Sequence, residues 1–586
     1  MKRFFGTMFA SFFGMVLFVT VSILLLIFIV AGSMSSSEKG AELKDNSVLE
    51  INLSELISDR PDWDIISSIS NAENPTKGIA LKTIIDAVYS AGEDDKIKGI
   101  IIDAGVAGSQ STSTMQELRC ALKHFKDSSD KFVYAYGNAY SQTGYYLASV
   151  ADKIYMQNEG EVMLKGINLR LQFFKKLMDK MGVEAQIVRH GKFKGAVEPF
   201  IGEKMSDANR EQYTLFANSL WNEIVKGIAC GRNLSTERVN EIADNLLSYT
   251  KDSLLSAGLI DGFMERSYFV DTVLKDMKIV SIDKYNTSVT KENKESKDRI
   301  AIIYAQGEVG IGKGSTSEIG TENISNAIKK AANNKKIKAI VLRVNSPGGS
   351  ALTSDIIYRA VVEAKAKKPV VASFGQYAAS GGYYISCAAD KIYSDPVTLT
   401  GSIGVFGLIF NMEKLFTDKI GITFDEVNTN KNSGAGTTVH SMSEYERSVI
   451  QKSIEDIYSG FIKKVADGRN KTVEYIDSIG QGRIWCGTDA LRLGLVDELG
   501  GLTDAIKGAA ELAEISEYRI SEYPEQKDVM TQIMELIGEN SSVKTQQELS
   551  KVFGVEGAAI YKALTDVRNM GEMKVYARLP FGTVVE

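Results

Sequence analysis

The sequence predicts an α/β protein in which one fold is written twice in tandem, behind a single membrane-spanning helix. Three observations carry that expectation: a long internal repeat, an alternation of β-branched runs with amphipathic helical patterns inside each copy, and an uncharged apolar stretch near the amino terminus.

The repeat sets the domain count. "KIKGIIID" at Lys96–Asp103 returns as "KIKAIVLR" at Lys336–Arg343, "ADKIY" at Ala151–Tyr155 returns at Ala389–Tyr393, and "SAGLIDG" from Ser256 returns as "RLGLVDE" from Arg492. "MSDANREQ" from Met205 matches "MSEYERSV" from Met442, and "GRN" at Gly231 recurs at Gly468. The offset stays between 236 and 240 residues, so little more than loop-length drift separates two domains of one fold. A chain of 586 residues is also well beyond what a single hydrophobic core serves.

Within each copy, runs such as "AIVLRV" and "VVASF" read as buried parallel strands. "SDIIYRAVVEAKA" and "SEYERSVIQKSIEDIYSGFIKKVADG" place apolar residues three and four apart, as crossover helices do. The expected organisation is a cytoplasmic tip and anchor at 1–37, an N-terminal domain at 45–289, the charged linker "TKENKESKDR" at 290–299, a C-terminal domain at 300–520 and an extension at 521–586. That extension lies outside the duplication and includes a helical pattern, "DVMTQIMELIGEN".

From Phe4 to Ser37 no residue is charged. This exceeds the roughly 20 apolar residues that cross a bilayer, and it is longer than the apolar region of about 7 to 15 residues in a cleaved signal peptide. Lys2 and Arg3 favour a cytoplasmic amino end and a body on the outer face, although Lys39 and Lys44 pull the other way.

Composition excludes several chemistries. A net charge of -6, with basic residues scattered among acidic ones, leaves no stripe for nucleic acid. The four cysteines, Cys120, Cys230, Cys387 and Cys486, form no CxxC pair and have no histidine at ligand spacing, so no metal site is expected. Only His124, His190 and His440 could supply an imidazole.

The two copies share packing residues, so chemistry is sought where they differ in kind. "RVNSPGGSA" at 343–351 stands where the first copy has "DAGVAGSQS". Its Gly348 and Gly349 follow a strand and can turn backbone N–H groups outward, or simply end the strand. "YAASGGYYISCAA" sets Ser380 before two glycines and a helical pattern, where the first copy has Gln142. Small neighbours and a helix start suit a nucleophile, with the N–H of Gly381 and that of Gly348 or Gly349 as an oxyanion hole; a plain N-cap serine is the alternative. "GKFKGAVEPF" at 191–200 puts Lys194 among apolar residues, where the second copy has Ser433. A lysine desolvated there can be neutral and act as a base. In an extended segment Lys192 would face the same way, so alternation does not separate the two.

The first copy has the lysine without the serine, and the second the serine without the lysine. With "RVNSPGGS", "AASGGYYIS", "LTGSIGVFG" and "GKFKGAVEPF", the chain resembles the signal peptide peptidase A (protease IV) family in its long duplicated form, over nearly its whole length. The resemblance implies a tandem Clp protease/crotonase-like fold, Ser380 as nucleophile, Lys194 as general base and Ser402 of "LTGSIG" as the residue that orients the lysine. It further implies a membrane-anchored serine endopeptidase that degrades signal peptide remnants and other extended apolar peptides, assembles as a homotetramer, and works on the outer face of the bacterial inner membrane without a cofactor. Other readings stay open at this stage: a catalytically silent membrane-bound scaffold, a crotonase-type acyl-thioester enzyme, and a Ser-His protease using His190.

Overall fold

The structure, a computed structural model, describes residues 43–61, 78–106, 110–289, 296–525 and 575–578, together with Gly14. The expected anchor at 4–37, Gly14 apart, and the helical pattern in the extension lie outside the described residues. Among the described residues no helix is long and apolar enough to cross a membrane.

The first half contributes β1 (Ser47–Asn52), β2 (Ile97–Val106), β3 (Phe132–Ala139), β4 (Lys153–Met156), β5 (Glu184–His190), β6 (Gly262–Phe263) and β7 (Lys278–Ser281). All but β5 form one parallel sheet in the order β6-β4-β3-β2-β1-β7. Helices α1 (Leu81–Glu93), α2 (Thr112–Ser128), α3 (Gln142–Ala148) and α4 (Asp207–Arg232) accompany it.

The second half repeats this with β8 (Arg299–Gln306), β9 (Ile337–Ser346), β10 (Gly348–Ser350), β11 (Val370–Ala379), β12 (Lys391–Ser394), β13 (Leu399–Gly401), β14 (Val405–Asn411), β15 (Ile484–Cys486) and β16 (Arg519–Tyr523). The sheet runs β15-β13-β11-β9-β8-β16, with β12 beside β11. Its pairs are parallel except β13 with β15. Helices α5 (Ala351–Lys365), α6 (Gly381–Ser386) and α7 (Glu444–Arg469) follow their strands. Ile340, Val341 and Leu342 of β9 are buried on both faces, which is why this strand reads as a continuous apolar run. Arg299, assigned to the linker from sequence, already belongs to β8: its N–H donates to the Lys336 carbonyl, 2.8 Å away, and it pairs with Ile337 and Arg519.

Each repeated motif has the same structural task in both halves. Ser206 and Ser443 are N-caps, accepting from the backbone N–H of Asn209 and Glu446, and Asn233 and Asn470 close the same helices in the left-handed conformation. In "ADKIY", Asp152 accepts from Val133 N–H at 2.8 Å and Asp390 from Val370 N–H at 2.9 Å. Tyr145 and Tyr383 each donate to the backbone carbonyl of a leucine, Leu259 and Leu495, at 2.7 Å.

A third sheet joins the halves. β5 leaves its own domain to pair antiparallel with β14, in register from His190 opposite Val405 to Glu184 opposite Asn411. β17 (Val575–Arg578) lies in the same sheet between β10 and β14. A buried charge cluster adds a second join: Arg343 of β9 binds Asp59 at 2.6 Å and Glu117 of α2, both from the first half. Its guanidinium also donates to Ser373 Oγ at 2.9 Å and to the Phe374 carbonyl at 3.0 Å, so the desolvated cation has several partners.

Candidate active site

Ser380 stands where β11 ends and α6 begins, with φ 56° and ψ -114°, a backbone region that L residues seldom occupy and that tight functional turns often impose. Its N–H donates to the Gly401 carbonyl at 2.8 Å and its carbonyl accepts from Tyr384 N–H at 2.8 Å. It holds the N-cap position of α6, yet its side chain makes no capping hydrogen bond. Its Oγ instead lies 2.7 Å from Lys194 Nζ.

Lys194 reaches it from the first half. The segment after β5 turns at Lys192 and Phe193, so the two lysines diverge: Lys192 is exposed, with its ammonium over the Phe193 ring, while Lys194 is 1% exposed. Close approach to the second half depends on Gly482 (φ +83°), where a Cβ would lie 2.6 Å from Lys194 N and 2.7 Å from its Cα. Behind the turn, Gln212 of α4 donates to the Phe193 carbonyl at 2.9 Å and accepts from Ile484 N–H at 3.1 Å. Gln212 is fixed in turn by Asn209 at 2.6 Å, and Asn209 by the buried Glu198 carboxylate at 2.9 Å.

Around Nζ, the carbonyl and the Oγ of Ser402 each lie at 3.0 Å. Ser380 and Ser402 are also essentially fully buried, at 0% and 1% exposure. Loss of hydration pushes the Lys194 amine well below the usual lysine range. A neutral amine has two hydrogens and one lone pair. Two Ser402 acceptors and the Ser380 hydroxyl match that inventory.

Gly381, Gly348 and Gly349 gather beside Ser380. A Cβ built on Gly381 would lie 3.1 Å from Gly349 N and 3.2 Å from Gly348 Cα. The Gly348 N–H donates to Ser346 Oγ at 3.2 Å. Gly349 (φ +154°) has no room for a side chain, since a Cβ there would meet the Val309 carbonyl at 2.2 Å. His190 stacks on Tyr458 with ring centroids 3.9 Å apart, and among the described residues no hydrogen bond joins it to Ser380. Ser433, the counterpart of Lys194, is exposed. Among the described residues no cluster could hold a metal ion.

Gly482, Gln212 and Arg343 were not singled out in the sequence. Gln212 had a signal: it stands opposite Val449 within the matched pair "MSDANREQ" and "MSEYERSV", a difference of chemical class like that at Ser380.

Fold and site define a serine protease of ClpP-like architecture, and the comparisons agree. The sequence model for ClpP-like SDH-type serine proteinases matches residues 272–409, and that for Peptidase family S49 matches 125–280 and 363–516. The chain is 36% identical to Protease 4 of Salmonella typhi over 471 residues, covering 78% of this chain and 76% of that one. It is 32% identical to Protease 4 of Haemophilus influenzae over 515 residues, covering 84% and 83%, and 29% identical to the chloroplastic serine protease SPPA of Arabidopsis thaliana over 504 residues, covering 83% and 72%. The chain belongs to peptidase family S49. Among the readings left open by the sequence, the serine protease therefore stands.

Proposed function

We propose that this protein is a membrane-anchored endopeptidase in which Lys194 is the general base and Ser380 the nucleophile, acting on cleaved signal peptides and other extended apolar peptides. The observation that carries the dyad is the 2.7 Å separation of Nζ and Oγ with both groups buried. Neutral Lys194 takes the hydroxyl proton as Ser380 Oγ bonds to the scissile carbonyl carbon, and the carbonyl π electrons move to oxygen. The Gly381 N–H, with that of Gly348 or Gly349, stabilises the oxyanion. As the tetrahedral species collapses, the C–N bond breaks and the Lys194 ammonium returns its proton to the leaving amine. Water, deprotonated by the same amine, then releases the acyl group from Ser380. Ser402 holds the two amine hydrogens, so the lone pair is directed at Ser380. No metal or other cofactor enters these steps.

The apolar segment at 4–37 supports anchoring, with the body on the outer face of the inner membrane. The homotetramer is supported by an unmatched counterpart: the repeat places the second-half equivalent of β5 at 423–429, where every residue is exposed and none is in a strand. A neighbouring copy would complete that pairing.

Purified Ser380→Ala and Lys194→Ala proteins test the dyad, using a fluorogenic apolar peptide and a labelled signal peptide in detergent micelles. Both variants should lose hydrolysis, and wild-type turnover by either ends the assignment. Sedimentation of the solubilised protein tests the assembly; a monomer rules it out.

A further inference from the structure

Helices α4 and α7 begin with the same cap and complete it differently. In α7, Glu446 returns to its own N-cap, accepting from the Ser443 N–H at 2.7 Å and from its hydroxyl at 2.6 Å, a capping box contained in one turn. In α4 the matching residue is Asn209, and the carboxylate comes from outside the helix: Glu198 accepts from the Ser206 N–H at 3.1 Å and from its hydroxyl. Glu198 lies four residues after Lys194. The cap of α4 is thereby tied to the segment that carries the base.

Asn209, released from the cap, donates to Glu198 at 2.9 Å and accepts from Gln212 at 2.6 Å. The Lys194 segment packs directly on this amide, since a Cβ on Gly195 would lie 2.4 Å from Asn209 Oδ1. Gln212 gives its other hydrogen to the Phe193 carbonyl at 2.9 Å, and its oxygen accepts from Ile484 N–H at 3.1 Å. Glu198, Asn209 and Gln212 are all buried, at 5%, 0% and 2% exposure. Val449, which stands at the position of Gln212 in α7, is exposed and has no group for such bonds.

What Gln212 bridges is the frame of the amine. The Phe193 N–H donates to the Gln481 carbonyl at 3.0 Å. From the other side of the same loop, the Arg483 carbonyl accepts from Ser402 N–H at 2.7 Å, and the Gly482 N–H donates to the Ile403 carbonyl at 2.7 Å. Residues 481–484 therefore hold the lysine turn on one side and, on the other, the serine that receives the lysine's hydrogens.

We propose that Glu198, Asn209 and Gln212 are positioning residues for Lys194: an amide relay, anchored on a buried carboxylate, that clamps the lysine turn to residues 481–484 and keeps the amine aligned and dry. The proposal rests on Lys194 and Ser380 being the catalytic pair, and it deepens that reading, since the relay acts through Lys194 and not on the reacting atoms. Burial lowers the Lys194 amine, so a turn that loosens and admits water returns it toward the ordinary lysine range. Misplacing a reacting group by an ångström costs about 10²-fold in rate. The relay therefore sets two observables together: the rate, and the pH at which the base is free.

Gln212→Met keeps the length of the side chain and removes its three hydrogen bonds. Leu220→Ala, two turns further along α4 and buried at 3% exposure, is the structural control: it opens a cavity under the same helix and is not part of the relay. The charged groups beside the turn, Arg189 on the Lys194 carbonyl at 3.4 Å and the Arg483–Glu211 pair at 2.7 Å, are unaltered by either change. Full-length purified proteins are assayed on a fluorogenic apolar peptide across pH. Gln212→Met should lower kcat about 10²-fold with KM within about twofold, and should move the rising limb of kcat/KM to higher pH by about one unit. Glu198→Gln should give the same two changes, and it decides the matter if Gln212→Met does not fold. Leu220→Ala should lower the denaturant midpoint and leave the limb in place. An unmoved limb in the deciding variant, or a loss of kcat no greater than that of Leu220→Ala, overturns the proposal. The two readings fail differently. If the dyad is wrong, Ser380→Ala or Lys194→Ala turns over at the wild-type rate; if only the relay is wrong, both of those are inactive while Gln212→Met keeps the wild-type profile.

Discussion

The first half of the chain closes with a side chain the same corner that the second half leaves for chemistry. At the end of β3, Ser141 caps α3 by accepting from Gly144 N–H, and the following Gln142 accepts from the N–H groups of Lys165 and Gly166 at 3.2 and 3.0 Å. At the end of β11, Ser380 caps nothing and faces an amine delivered from the other half. A similar exchange affects the preceding strands. Asp103 of β2 pairs with Arg266 of its own half at 2.9 Å, whereas Arg343 of β9 binds across the seam to Asp59 and Glu117. Duplication kept the caps, the "ADKIY" aspartates and the buried tyrosines in both copies, because each satisfies backbone groups that both sheets need. It released the positions whose partners lie in the other copy.

Removing either member of the seam dyad breaks this division of labour most severely. Ser380→Ala or Lys194→Ala should each lower kcat by roughly 10⁴-fold, and the double variant should lose little more, because the pair acts as a unit. Arg343→Ala leaves two buried carboxylates without their cation and should cost about 3–5 kcal/mol, read as a lower denaturant midpoint. Gln142→Ala, in the half whose site is closed, should leave turnover intact. Gly482→Ala forces a Cβ against the Lys194 backbone and should lower kcat about 10²-fold, the scale of an ångström misplacement, with circular dichroism unchanged.

The lysine itself should trade stability for activity. In the folded chain its amine lies well below the ordinary value of 10.5 because burial removes its hydration. Between that lowered value and 10.5 the unfolded chain binds a proton that the folded chain does not, so this group makes stability rise with pH. Its cost is absent above 10.5, grows as pH falls through the window, and is complete below the lowered value. Lys194→Met should therefore be inactive yet raise Tm, by a margin that widens as pH falls from 10. In the native enzyme, hydrolysis should rise with pH through the same lowered value as the base loses its proton. Lys192→Ala, on the exposed side of the turn, should change kcat/KM by less than about twofold.

Much of this is legible in the sequence. The two-copy α/β plan followed from a repeat whose motifs prove to be caps and backbone anchors, which any sheet of this kind must have. Ser380 was visible because Gln142 stood in its place. Lys194 could not be separated from Lys192 by alternation, since that argument assumes an extended chain and the backbone turns between them. Arg343 opposite Asp103 was a reversal of charge in plain view, but its meaning depended on Asp59 and Glu117, far away in the sequence and held by a different domain. β17 gave no signal because its pairing is through main-chain groups, which every residue carries.

For the proposed dyad, the seam also sets when hydrolysis can begin. Lys194 and Ser380 stand 186 positions apart along the chain, so a ribosome delivers the amine long before the alcohol. Until the later module has emerged, folded and seated its glycine turn against the earlier one, the growing polypeptide holds a blade and a handle that have not met.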